Sequence, residues 1–146
     1  MVLLLSGAVA TSVLFATDAF FAFAGWRILL RKETWGRGCV RRLHAFTEKH
    51  VPLFAAVAMG CAVLIALNAR VAHPRAACLA GGALVALAAH LLLYAKTACL
   101  MRGFEEAPVG SAEWLARAGG LEAAMVTRTS LQAAAFICLV TAGIMA

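Results

Sequence analysis

The chain reads as all-α: a four-helix transmembrane bundle with an interfacial amphipathic helix between its first and second spans. Three observations predict this. Apolar residues fill 64% of the 146 positions, charged residues only 14%, and mean hydropathy is +0.89; a soluble domain of this size has no core able to hide so much apolar side chain. Four apolar stretches, at about 2–25, 51–67, 76–94 and 121–146, approach or reach the length that crosses ~30 Å of hydrocarbon. Thirteen Lys and Arg are concentrated between these stretches, seven of them within residues 27–49. Residues 1–146 therefore form a single polytopic membrane domain, without a detectable internal repeat.

Span 1 lacks the positively charged start of a signal peptide and reads as a permanent helix. Gly7, Thr11, Asp18, Ala22 and Gly25 recur at three-, four- and seven-residue steps, a small and polar stripe suited to close helix contact. Trp26 marks the interface. In the basic segment, a helix is expected after a break at Gly36 and Gly38. Trp35, Cys39, Leu43 and Phe46 share one face; Arg37, Arg41, His44 and Glu48 share the other. Pro52 suits the opening turn of span 2, where its missing N–H costs least. The short turn at 70–75 makes spans 2 and 3 antiparallel neighbours, and Gly81-Gly82 permits close approach in span 3. Residues 97–120 are expected to be the longest polar connection, with a loop at 103–110 and a short helix capped by Ser111 that Gly119-Gly120 breaks.

Loops 1 and 3 hold eleven Lys and Arg against two in loop 2. The positive-inside rule then places loops 1 and 3 on the cytoplasmic-equivalent side and both termini opposite. An isoelectric point near 9.6 would fit nucleic acid. The basic residues, however, interrupt membrane spans and carry no aromatic-interleaved binding motif, so membrane lipids or a membrane-complex partner are expected instead. The five cysteines form no CxxC and no zinc spacing, and read as reduced packing residues.

Asp18 is the sharpest single residue, because a carboxylate inside an apolar helix is costly and is usually turned inward and paired. His90 enters the bundle from the same side, Tyr94 is one turn away on the same face, and Gln132 is the remaining polar group at similar depth. An Asp18–His90 contact is therefore geometrically available; the alternative is a protonated Asp18 making one structural hydrogen bond. Asp18, His90 and Tyr94 are the candidate catalytic groups. His44, Glu48 and His50 form a second cluster; His44 and Glu48, one turn apart on one face, would allow metal ligation or acid–base work, and the structural reading is an interfacial ion pair. With Arg41, Arg42, Trp114, Arg128 and Gln132, His44 and Glu48 are candidates for binding substrate or lipid. Arg128 is expected to snorkel to the surface or hold an anionic headgroup, and Trp114 to anchor at the interface or cover the bundle mouth. No metal site and no cofactor are expected; His90 is the one histidine within a span, which disfavours bis-His haem.

Three stretches resemble the small four-span anthrone oxygenase-like membrane proteins: Phe20-Phe21-Ala22-Phe23, Pro52-Leu53-Phe54, and the segment opening span 4 from Arg128 to Phe136. The resemblance implies a four-span fold acting on a lipophilic aromatic or quinone-like substrate. The segment from Arg42 to Phe54 is also similar to the membrane-associated glutathione and eicosanoid family, which implies a homotrimeric transferase. That family ranks second, because Phe46 and Lys49 stand where it carries Asn and Glu. The remaining alternative is a non-catalytic accessory subunit, as a homo-oligomer or within a larger membrane complex. Transport is the weakest reading, since four spans need oligomerisation to form a path and no inverted repeat is visible.

Overall fold

A computed structural model describes residues 2–25, 28, 34–108 and 110–146, with only the backbone at 34–41, 44, 47, 48, 104 and 105. Among these residues there are four long helices and no strand. Helix α1 (Val2–Phe20) runs into a π-helical turn at Phe21–Gly25; α2 spans Thr34–Ala69, α3 Pro74–Glu106 and α4 Ala112–Met145. All four are long and apolar enough to cross a membrane. The chain is a small integral membrane protein built as an all-α bundle.

Helix α1 packs on α2 and α4, and α3 packs on the same two, so chain neighbours are spatial neighbours. Helices α1 and α3 consequently face each other across the bundle diagonal. The small stripe of α1 is its buried face: Gly7, Thr11, Asp18, Ala22 and Gly25 are all buried. A Cβ built on Gly7 would stand 2.8 Å from Leu139 Cδ2 and 3.0 Å from Cys61 Cβ, and one on Gly143 would stand 2.5 Å from Leu4 Cδ1. Alanines 55, 58, 62, 80, 83, 135 and 142 line the remaining interior, so the helices meet through small residues, as membrane helices do when packing replaces the hydrophobic drive. Gly7→Leu is expected to overpack this contact and cost about 1–3 kcal/mol, read as a lower midpoint on denaturing-detergent titration of helicity. An unchanged midpoint would mean that α1 packs elsewhere.

Several sequence expectations are corrected. From Thr34 on the basic segment is helical but is no separate surface helix: α2 passes through Gly36, Gly38 and Pro52 without a stop. Pro52 sits well inside the helix, where tertiary packing of Val51 and Ala55 outweighs the local cost of a missing donor. Gly119 and Gly120 likewise lie inside α4, and α3 continues to Glu106, which shortens the third connection to 107–111. Gly81 has nothing within 4 Å of a built Cβ, and a Cβ on Gly82 meets only Cys138 Sγ, at 3.8 Å. Ser111 does cap α4, accepting from the Trp114 N–H at 3.0 Å, and Gly110, at φ +85°, turns the chain into that cap. Trp26, expected at the interface, lies outside the described residues, as do the side chains of Trp35 and Cys39.

With 36, 33 and 34 residues, α2, α3 and α4 are each about 50 Å long, well beyond a ~30 Å hydrocarbon layer. The excess gathers at the end carrying the first and third connections. There Phe21, Ala22, Met101, Ala107, Trp114, Ala118, Leu121 and Met125 form a buried apolar cap.

Candidate functional site

Three antiparallel contacts set the register between α1 and α4: Leu4 with Gly143, Gly7 with Leu139, and Asp18 with Arg128. Their agreement places Asp18 and Arg128 at one level by helix rise alone. Asp18 Oδ1 accepts from Arg128 Nη2 at 2.7 Å, and both side chains are 6% exposed. Asp18 Oδ2 lies 3.3 Å from Nδ1 of His90, which is wholly buried on α3. One carboxylate thus ties three helices together, across the bundle diagonal to α3 and sideways to α4. The Arg128 guanidinium also stands 5.0 Å over the Tyr94 ring, a cation–π contact that draws in the residue one turn from His90.

The chemistry of the arrangement follows from its charges. An isolated ion in hydrocarbon is expensive, whereas an ion pair with further hydrogen bonds is tolerated. Here Arg128 supplies the countercharge to Asp18, and Oδ2 remains to orient the imidazole. When Nδ1 carries its proton toward Asp18, Nε2 is left as the basic nitrogen. Among the described residues Asp18 Oδ2 and both ring nitrogens of His90 make no hydrogen bond, so the 3.3 Å approach is a close polar contact and not a formed bond; Oε1 and Nε2 of Gln132, which is also wholly buried, are likewise without a partner. Immediately above the cluster the π turn begins at Phe21, and π turns often accompany functional sites.

No family model, curated protein or solved structure matches the chain.

Of the candidate residues, the bundle brings Asp18, His90, Tyr94 and Arg128 together and buries Gln132 one turn further along α4. The snorkelling expected of Arg128 is overturned: its guanidinium points inward to Asp18 and is 5% exposed as a residue. The same residue lowers the loop count of cations from eleven to ten. Trp114 is no lipid-facing anchor either, since it is 6% exposed within the apolar cap, which covers the Asp18–Arg128 end of the bundle. Arg42 is exposed on the projecting part of α2, far from the cluster. Arg41, His44 and Glu48 share that helix, and their side chains lie outside the described residues. Among the described residues no group of three His, Cys, Asp or Glu gathers to hold a metal.

Sequence reading paired Asp18 with His90 and missed Arg128 as the third member. The signal was available: Arg128 is four residues before Gln132, so an inward Gln132 places Arg128 on the same face.

Proposed function

We propose that this protein is a membrane enzyme of acid–base type that removes a proton from a lipophilic aromatic or quinone-like substrate. The observation that carries the reading is the wholly buried His90 imidazole, with Asp18 Oδ2 3.3 Å from Nδ1 and no hydrogen bond yet made at either ring nitrogen among the described residues. His90 Nε2 takes the proton from an acidic C–H or O–H group. Asp18 holds the ring and stabilises the imidazolium, and Arg128, braced by Tyr94, keeps Asp18 ionised. The 3.3 Å separation suits a resting site, where catalytic hydrogen bonds are often long and tighten on substrate binding. The resemblance to anthrone oxygenase-like proteins, which implies oxygenation as the onward reaction, names the first substrate to try. Anthrone has an acidic methylene, and loss of one of its protons leaves an aromatic anion.

The test is deuterium uptake at that methylene in heavy water, with the purified protein in nanodiscs and dioxygen excluded. Protein-dependent exchange above the lipid-only rate supports the reading. Exchange no faster than in empty nanodiscs, for anthrone and for other lipophilic carbon acids such as tetralones, overturns it.

A second reading is favoured by one feature. Leu43 and Phe46 are 41% and 62% exposed on the part of α2 that projects past the apolar span, beside exposed Arg42. That surface suits anionic lipid or a subunit of a larger membrane complex, including further copies of this chain. Both readings share one topology, with the 26–33 and 107–111 connections in the compartment that retains positive charge and both termini opposite. After removal of the native thiols, cysteines at Gly38 and Gly110 should be labelled from one side and one at His73 from the other. Labelling of Gly38 and Gly110 from opposite sides would refute that arrangement.

A further inference from the structure

The proposed chemistry leaves Gln132 without a task, although burying an amide with neither polar atom hydrogen-bonded costs stability. Where Gln132 lies relative to His90 follows from register. Gly82 of α3 meets Cys138 of α4, with 3.8 Å between a built Cβ and Sγ. Eight residues along each antiparallel helix, His90 is therefore level with Ser130. Arg128 stands about 3 Å above that level and Gln132 about 3 Å below it. The imidazole sits between the two heights.

The α1–α4 register adds a second observation at the same height. Residues 12–15 of α1 lie level with residues 131–134 of α4, and there the surface is indented. A groove of about 360 Å³ runs between the two helices, lined by Ser12, Phe15, Ala133, Phe136 and Ile137. Its volume is in the range of small-ligand sites, about 300–1,000 Å³, and its mouth faces the region occupied by lipid. Phe136, on the wall of the groove, follows Gln132 by one helical turn and so shares its face of α4. A second groove, between α1 and α2, is lined by Leu5, Ser6, Val9, Leu53, Phe54 and Val57 among others. Its one polar lining residue, Ser6, is exposed and not a buried unpartnered group, and this groove serves as an internal control.

Resting on the enzyme reading above, we infer that the α1–α4 groove is the lateral substrate site and Gln132 its head-group recognition residue. The ligand class is an amphiphile with an apolar body and one hydroxyl or carbonyl head. The body lies in the groove, out of water and in contact with acyl chains. The head passes Phe136, accepts from the Gln132 amide N–H or donates to its carbonyl, and comes within reach of His90 Nε2. Gln132 is thus a specificity-determining residue: it holds a polar head and has nothing to offer a pure hydrocarbon.

The probe is dodecanol carrying a mid-chain diazirine, photolysed with the protein in phosphatidylcholine nanodiscs, with plain dodecanol as competitor. Adducts are expected to concentrate on Phe15, Phe136 and Ile137 and to be displaced by dodecanol but not by dodecane. Gln132→Leu should weaken that competition about tenfold, the scale of one lost hydrogen bond. Ala133→Trp should abolish the labelling, and Val57→Trp should leave it unchanged. Labelling spread evenly over lipid-facing residues, concentrated beside Val57, equally displaced by dodecane, or indifferent to Gln132→Leu would overturn the inference. The two proposals fail separately: labelling as described with no methylene exchange refutes proton transfer by His90 alone, and exchange without groove labelling refutes the lateral site alone.

Discussion

Asp18→Leu is expected to destabilise the bundle by about 3–5 kcal/mol, the scale for removing one partner of a buried ion pair. The large effect lies in what remains. Arg128 would keep its charge at 5% exposure and lose a carboxylate at 2.7 Å, for which the Tyr94 face is a weaker substitute. Arg128→Leu should cost a similar amount by stranding the carboxylate. The double variant should cost clearly less than the two single effects combined, because two apolar side chains of similar bulk satisfy each other in an apolar interior. Detergent titration of helicity on the four proteins gives the coupling energy. Additive losses would show that Asp18 and Arg128 do not meet in the folded protein. With only an Asp18–His90 hydrogen bond at stake, Asp18→Leu would cost no more than ~0.6–1.7 kcal/mol; the gap between these ranges measures what Arg128 adds.

Those two estimates show where the sequence was legible. The spans were readable because hydropathy over twenty residues is a strong signal, and the buried face of α1 because small residues recur at helical spacing. The inward turn of Asp18 was readable because no other solution is affordable in hydrocarbon. Boundaries at glycine and proline were not. Pro52, Gly36, Gly38, Gly119 and Gly120 are all helix-weakening by propensity, yet α2 and α4 run through them. Each weak position costs about 1–3 kcal/mol, and long packed neighbours can offset that. Arg128 was misread for a related reason. Its place near the start of an apolar run suits a snorkelling cation, and only the register of α1 against α4 reveals a carboxylate at the same height. Gln132 looked like one more polar residue until its two amide atoms proved to be buried without partners.

His90→Asn is the sharper test of what the cluster is for, because it separates base from glue. Asn keeps an amide donor near the Nδ1 position, so the link to Asp18 survives in part and the bundle should lose less than ~1 kcal/mol, within the range of interhelical hydrogen bonds. It has no atom at the place of Nε2 and no basic nitrogen. If His90 removes the substrate proton, methylene exchange should fall by roughly 10²–10⁴-fold, the contribution of a positioned general base. Asp18→Asn should also slow exchange, through a different cause. A neutral amide can donate to Nδ1, which would move the imidazole proton to Nε2 and occupy the lone pair the reaction needs. The two variants should then differ in one readout. Exogenous imidazole should partly restore exchange in a His90→Gly protein, where it can enter the vacated volume, and should do nothing for Asp18→Asn, whose own imidazole still fills the site. If His90→Asn exchanges at the wild-type rate, His90 is only a link between helices, and the unpartnered nitrogen has no part in catalysis.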